Sequence, residues 1–218
     1  MEKKKVVLIR PRLKTTKNDA TKFTYIWASK VLKKFLDADV YIVFDLKHKE
    51  AMRKKVEGVL HKIVSQVGVV VFYGHGGDSG TSLFGSDGKA LIDLQNNQLL
   101  KNKICYMIAC FSAHILGKDS ISAEKKAFSY IGFQDRFVFI PFLEKSFGRC
   151  ANAGIIKMIT DGCTTGDAER TIRKNLIFCE KWWQKRKKFV IASLFRFNYI
   201  ANGRKNLTIH GYKNINIK

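Results

Sequence analysis

Short apolar runs alternate with amphipathic stretches along the first 135 residues, and this alternation constrains the fold more than any other feature of the chain. Lys5 to Arg10, Val40 to Leu46, Val69 to Tyr73, Ile104 up to Cys110, and Ala127 to Phe133 are short and rich in β-branched or aromatic residues, the composition of strands buried on both faces. Between them, Thr21 to Leu36 sets Phe23, Ile26, Trp27, Val31 and Phe35 at helical spacing. Lys49 to Gln66 likewise sets Met52, Val56, Val59, Leu60 and Ile63 on one stripe. Strand-helix alternation with short connections and right-handed crossovers leads to a mostly parallel sheet with helices on both faces. The expected fold class is therefore α/β, a three-layer sandwich.

The remaining segments are assigned by local signals. Asp78 to Gly88, rich in glycine, serine and aspartate, predicts a small hairpin, and Leu91 to Lys101 a short helix. Phe137 to Met158 reads as largely helical. Thr164-Thr165-Gly166-Asp167 supplies a helix start, and Ala168 to Lys187 continues that helix with Trp182 and Trp183 on it. Phe189 to Tyr199 and Asn206 to Tyr212 read as terminal strands joined by a turn at Asn202-Gly203. At 218 residues the chain suits one domain, with 1–160 forming its main body and 161–218 a basic helix and terminal strands belonging to the same unit.

Two strand ends carry reactive side chains. The run Gly68-Val69-Val70-Val71-Phe72-Tyr73 ends in Gly74-His75-Gly76-Gly77-Asp78, which sets an imidazole between glycines at the carboxyl rim of a strand. That rim is where open α/β sheets handle ligands. The next apolar run ends in Cys110, followed by Phe111-Ser112-Ala113, so a thiol stands on the same rim if the two strands are parallel neighbours. An imidazole beside a thiol is a base beside a nucleophile. Glycines around the histidine let backbone amides approach a substrate carbonyl, and the amides of Gly76 and Cys110 are the expected oxyanion donors. Cys105, Cys150, Cys163 and Cys179 read as structural thiols.

Composition bears on partners. Five cysteines in an odd count, with no CxxC pair, argue for reduced thiols and a cytoplasmic setting. Cys110 and His114 have no second pair to complete a metal site, so neither a metal nor a cofactor is expected. The apolar run Val6 to Ile9 is too short for a signal peptide, and no membrane partner is expected. The net charge of +22 is scattered lysine and reads as solvated surface. A polyanion such as nucleic acid remains a rival partner, through Lys181 to Lys188 with Trp182 and Trp183 stacking on bases.

The ordered pair of motifs resembles the caspase-like cysteine peptidases: caspases, metacaspases, legumain, clostripain, gingipains and CHAT-domain proteases. Tyr73-Gly74-His75-Gly76 is similar to their histidine motif, and Cys110-Phe111-Ser112-Ala113 to the Cys-x-Ser-Gly or Cys-x-Thr-Ala of several members. The resemblance covers roughly Lys5 to Met158. It implies a cysteine endopeptidase that hydrolyses peptide bonds through a His75–Cys110 dyad, with a protein or peptide substrate and no cofactor; a regulatory protein partner stays open. Members cutting after arginine or lysine often carry an acid just before the nucleophile, or two positions before it, where this chain has Ala109 and Ile108. Arg10 or Arg12 stands near the place where caspases hold an acidic side chain, so cleavage after an acidic or small residue is expected. Asp78 and Asp135 are the alternative pocket residues, for a basic side chain. Two other functions stay open: a catalytically silent caspase-like scaffold that binds a protein, and a basic polyanion-binding protein.

Overall fold

The computed structural model describes residues 3–13, 19–63 and 68–217. Strand β1 (Lys4–Arg10), helix α1 (Thr21–Asp37), β2 (Tyr41–Lys47), α2 (Arg53–Lys62) and β3 (Gly68–Tyr73) realise the expected alternation. The part of the second helix expected over residues 64–66 lies outside the described residues. There follow β4 (Ser82–Phe84), β5 (Ala90–Asp93), β6 (Lys103–Ile108), α3 (Ile115–Ser120), β7 (Ser129–Phe133), α4 (Glu144–Asp161), α5 (Thr165–Lys185) and α6 (Phe189–Phe197). The chain ends with a two-stranded hairpin, β8 (Ile200–Ala201) and β9 (Arg204–Lys205), and then β10 (Leu207–Gly211).

Six strands form the central sheet in the order β10-β7-β6-β3-β1-β2, all parallel except β10, which runs antiparallel along β7. Period-two alternation divides the strand residues between two cores. Val7, Ile9, Val70, Phe72, Cys105 and Met107 pack with Val56 and Leu60 of α2 and Leu116 of α3. Val6, Leu8, Val71, Tyr73, Tyr106 and Ile108 pack with Trp27, Val31 and Phe35 of α1, Phe147 and Ile155 of α4, and Leu176 of α5. Burial on both faces explains why these strands are continuous apolar runs. The result is a mostly parallel sheet flanked by helices, as the sequence predicts.

Three segments differ from expectation. Ala90–Asp93 is a strand paired with β4, and only Asn97–Leu100 forms a 3-10 turn where a helix was expected. The Asp93 and Asn96 side chains accept the Gln95 and Asp93 amides at 3.0 and 2.8 Å, local bonds that compete with a helix. Phe137 to Ile140 is not helical, because Pro141 holds Ile140 extended (φ −121°, ψ 139°), and α4 begins only at Glu144. Phe189–Phe197 is a helix, not a strand. Its buried positions Ala192 and Phe195 are three apart, and Phe195 stacks on Phe147 of α4 at 4.1 Å, so tertiary packing overrides an aromatic-rich composition. The expected helix start is a reciprocal capping box: the Asp167 amide donates to the Thr164 hydroxyl and the Thr164 amide to the Asp167 carboxylate.

One buried polar side chain ties three elements beneath the rim. The Tyr73 hydroxyl donates to Asn152 Oδ1 at 2.7 Å, and Asn152 Nδ2 donates to the Trp27 carbonyl at 2.9 Å, joining β3, α4 and α1. Asn152→Ala strands the fully buried Tyr73 hydroxyl and is expected to cost about 2–3 kcal/mol. Urea denaturation monitored by circular dichroism checks this as a lowered midpoint with unchanged slope.

Candidate active site

The register of β3 against β6 builds the site. Their parallel pairing runs from Gly68↔Lys103 to Tyr73↔Ile108. Gly74 N–H extends it by donating to the Ile108 carbonyl at 3.2 Å. Carried two residues further, the register sets His75 opposite Cys110, and neighbouring parallel strands lie about 4.8 Å apart. Because parity is kept, both side chains rise on the side of the sheet that carries Tyr73, Ile108 and α1. They line one small hollow, together with Thr21 and Thr24 of α1, Ile108, Phe137 and Phe139.

Backbone details hold the rim tight. A Cβ on Gly76 would lie 1.8 Å from the Cys110 carbonyl oxygen, so only glycine fits there, and the Cys110 nitrogen is 3.5 Å from the same point. Gly76 bridges Leu83 of β4, but the bonds of that bridge are Gly77 N–H to Ser82 and Phe84 N–H to His75, leaving the Gly76 amide outside the ladder. Phe111 takes a left-handed conformation at φ 52°, rare for an aromatic residue, and its N–H donates to the Asp135 carbonyl at 2.9 Å. The buried Ser112 hydroxyl donates to the Ala109 carbonyl at 2.9 Å and accepts from Phe133 N–H at 3.2 Å, fastening the turn to β6 and β7.

The sequence reading missed Asp19. Its carboxylate, 6% exposed, meets His75 Nε2 at 3.0 Å, and the Thr21 amide donates to it at 3.0 Å along with the Thr21 hydroxyl. Burial pushes the Asp19 carboxyl up, but the bonds from Thr21 and His75 outweigh it and hold its pKa below the ordinary value. An ionised carboxylate only accepts, so Nε2–H donates this bond and Nδ1 is the ring nitrogen left outside it. Burial pushes the Cys110 thiol up, and its S–H points to the Phe137 carbonyl at 3.7 Å. Nothing in the sequence signals Asp19, which stands among lysines 56 residues before the histidine and reaches it only through the turn into α1.

The other expected pocket residues scatter. Arg10 is buried away from the hollow: Nε and Nη2 bond Asp45 on β2 at 2.7 and 2.6 Å, Nη1 bonds Ser29 at 2.5 Å, and the guanidinium lies 4.5 Å over Tyr25. Arg12 is exposed and lines a separate cleft with Lys47, His48 and Ser86. Neither arginine is placed to receive a substrate carboxylate beside Cys110. Asp78 lines a third cleft of about 420 Å³ on the far side of His75, with Gly76, Gly77, Ser82 and Phe84. The Asp135 side chain accepts from the Arg136 amide and Asn202, outside the hollow. Ile108 and Ala109, both buried, do line it. Cys150 and Cys179 sit sulfur to sulfur at 3.8 Å between α4 and α5. Hydrogen bonds from Cys150 and Arg149 hold the buried Cys179 thiol below the ordinary thiol range.

The fold is caspase-like. The chain is similar to the crystal structure of the Arg-specific cysteine proteinase gingipain R, with a TM-score of 0.62 and 10% sequence identity over 98% of this chain and 47% of that one. It thus spans about half the length of that solved structure. No protein-family model matches the sequence. No curated protein matches it either.

Burial, the largest influence on the Cys110 thiol, raises its pKa from the ordinary value and so disfavours a resting thiolate. Iodoacetamide labelling of Cys110, followed by peptide mass spectrometry, should therefore keep accelerating with pH beyond the range in which an ordinary thiol ionises. A plateau across about pH 6–8 would mark a preformed thiolate–imidazolium pair instead.

Proposed function

We propose that the chain is a cysteine endopeptidase in which Cys110 is the nucleophile and His75 the general base. The observation that carries this reading is the register Tyr73↔Ile108, which brings the imidazole and the thiol to one hollow on the rim. As Cys110 Sγ attacks the scissile carbonyl carbon, its proton passes to His75 Nδ1, and the new oxyanion is received by the amides of Gly76 and Cys110. The C–N bond then breaks, Nδ1–H protonates the departing amine, and a thioester remains on Cys110. Water, deprotonated by Nδ1, hydrolyses the thioester and frees the thiol. Asp19 holds the working tautomer through Nε2 and stabilises the imidazolium without taking its proton, which makes it a positioning residue.

The hollow beside Cys110 receives the side chain preceding the scissile bond. Its volume of about 40 Å³ holds roughly three water-sized groups, and its walls are Thr21, Thr24, Ile108, Phe137 and Phe139, without a carboxylate or guanidinium. A small uncharged residue fits. A charged side chain finds no partner in these walls: Arg10 is committed to Asp45, and the charges that act on Cys110, Arg136 and Asp78, stand outside the hollow. The wider cleft past His75 faces the departing half of the substrate.

A panel of peptides varied only before the scissile bond tests this. Alanine or serine there should be cut, and arginine, lysine or aspartate should lose about 10²-fold or more in kcat/KM. Cys110→Ala should abolish hydrolysis, and Asp19→Asn should lower kcat by about 10²–10³ with KM little changed. A folded protein that cuts no peptide would leave the silent scaffold.

A further inference from the structure

The corner between α5 and α6 lies apart from the site and has an unusual surface. Phe178, Lys181, Trp182 and Lys185 follow at i, i+3, i+4 and i+7, one stripe along the outer face of α5. At its end Lys187 turns left-handed (φ 57°), the chain reverses, and α6 opens with Phe189 and Val190. Four apolar side chains are left in water: Phe178 is 61% exposed, Trp182 38%, Phe189 65% and Val190 79%. Five exposed cations surround them, Lys181, Lys185, Arg186, Lys187 and Lys188. The one acid between Phe178 and Phe197 is Glu180, which is buried and bonded to Arg196, Gln184 and Tyr199. The corner is therefore apolar at its tip and cationic all round.

We propose that this corner docks peripherally on an anionic membrane surface. Phe189, Val190, Phe178 and Trp182 enter the headgroup layer while the five cations face acidic lipids, the pairing of apolar tip and basic rim that interfacial segments use. Charge complementarity selects the occupant: burial against a protein face would dehydrate five cations that no acid of this corner compensates. Nucleic acid is the poorer fit. Arg186 already covers one face of Trp182 at 3.4 Å and Trp183 packs against the same indole at 4.6 Å, so little of it is free to stack on a base, and Val190 has no stacking surface at all. Among the described residues no helix is long and apolar enough to cross a membrane. The sequence concealed the feature because Phe189 to Tyr199 reads as a strand, which would have buried alternate residues in a sheet.

Co-sedimentation of the full chain with vesicles of phosphatidylcholine plus phosphatidylserine, against phosphatidylcholine alone, tests the proposal. Binding is expected to the mixed vesicles only and to weaken as salt is raised. Phe189→Ser with Val190→Ser should remove most of it, and each of Lys185→Glu and Lys187→Glu should lower partitioning by roughly fivefold or more. Lys54→Glu with Lys55→Glu, on the exposed face of α2, should leave it nearly unchanged. The altered side chains are exposed, so the thermal midpoint should hold in every variant, and peptide hydrolysis is read separately. Absence of binding at low salt overturns the proposal. So does binding that the α2 pair lowers as much as the corner variants do, or a corner whose substitution abolishes DNA binding or self-association and not vesicle binding.

Discussion

Parallel pairing of β3 with β6 is the interaction on which the rest of the site depends. Six consecutive residue pairs lock the two strands, and the Gly74 bond to Ile108 carries the register to the rim, where residues 75 and 110 come level. Everything near this line is built to keep it straight. Gly76 has no Cβ because the Cys110 carbonyl occupies that space, Ser112 pins the following turn to both neighbouring strands, and Phe111 accepts a left-handed backbone so that the chain can leave the strand end at once. Below the rim both strands are buried on both faces, so the reactive side chains stand on a rigid base.

Electrostatics around the site are local despite the charge of the whole chain. Asp19 gives His75 an ionised partner inside a protein of net charge +22, and the Thr21 bonds keep that carboxylate ionised where burial alone would favour the acid. Arg10, the cation nearest in sequence to the end of β1, is committed to Asp45 and Ser29 and joins β1 to β2 and α1 instead of meeting a ligand. No carboxylate or guanidinium lines the hollow beside Cys110, and Arg136 and Asp78 act on the thiol from outside its walls.

Continuous apolar runs and helical stripes made the central sheet readable, because strands such as Val69–Tyr73 and helices such as the one carrying Trp27, Val31 and Phe35 announce themselves within a few residues. His75 and Cys110 were readable for the same reason, as each terminates such a run. What could not be read depends on contacts between distant segments. Asp19 meets His75 only because the turn into α1 folds over the rim, and Phe137 and Phe139 reach the hollow because Pro141 delays α4 and leaves them free to pack on Trp27. Phe189 to Phe197 has a strand-like composition, and its helix is decided by Ala192 and Phe195 packing inward three residues apart.

The most direct measurement of the central claim is peptide mapping after reaction with a peptidyl acyloxymethyl ketone that carries alanine next to the reactive group. This reagent needs an attacking thiol, an oxyanion site and a fitted side chain together. The account predicts a single adduct on Cys110, lost in His75→Ala while the fold is kept. An adduct forming first on Cys179, or labelling of Cys110 that is indifferent to His75, would contradict this.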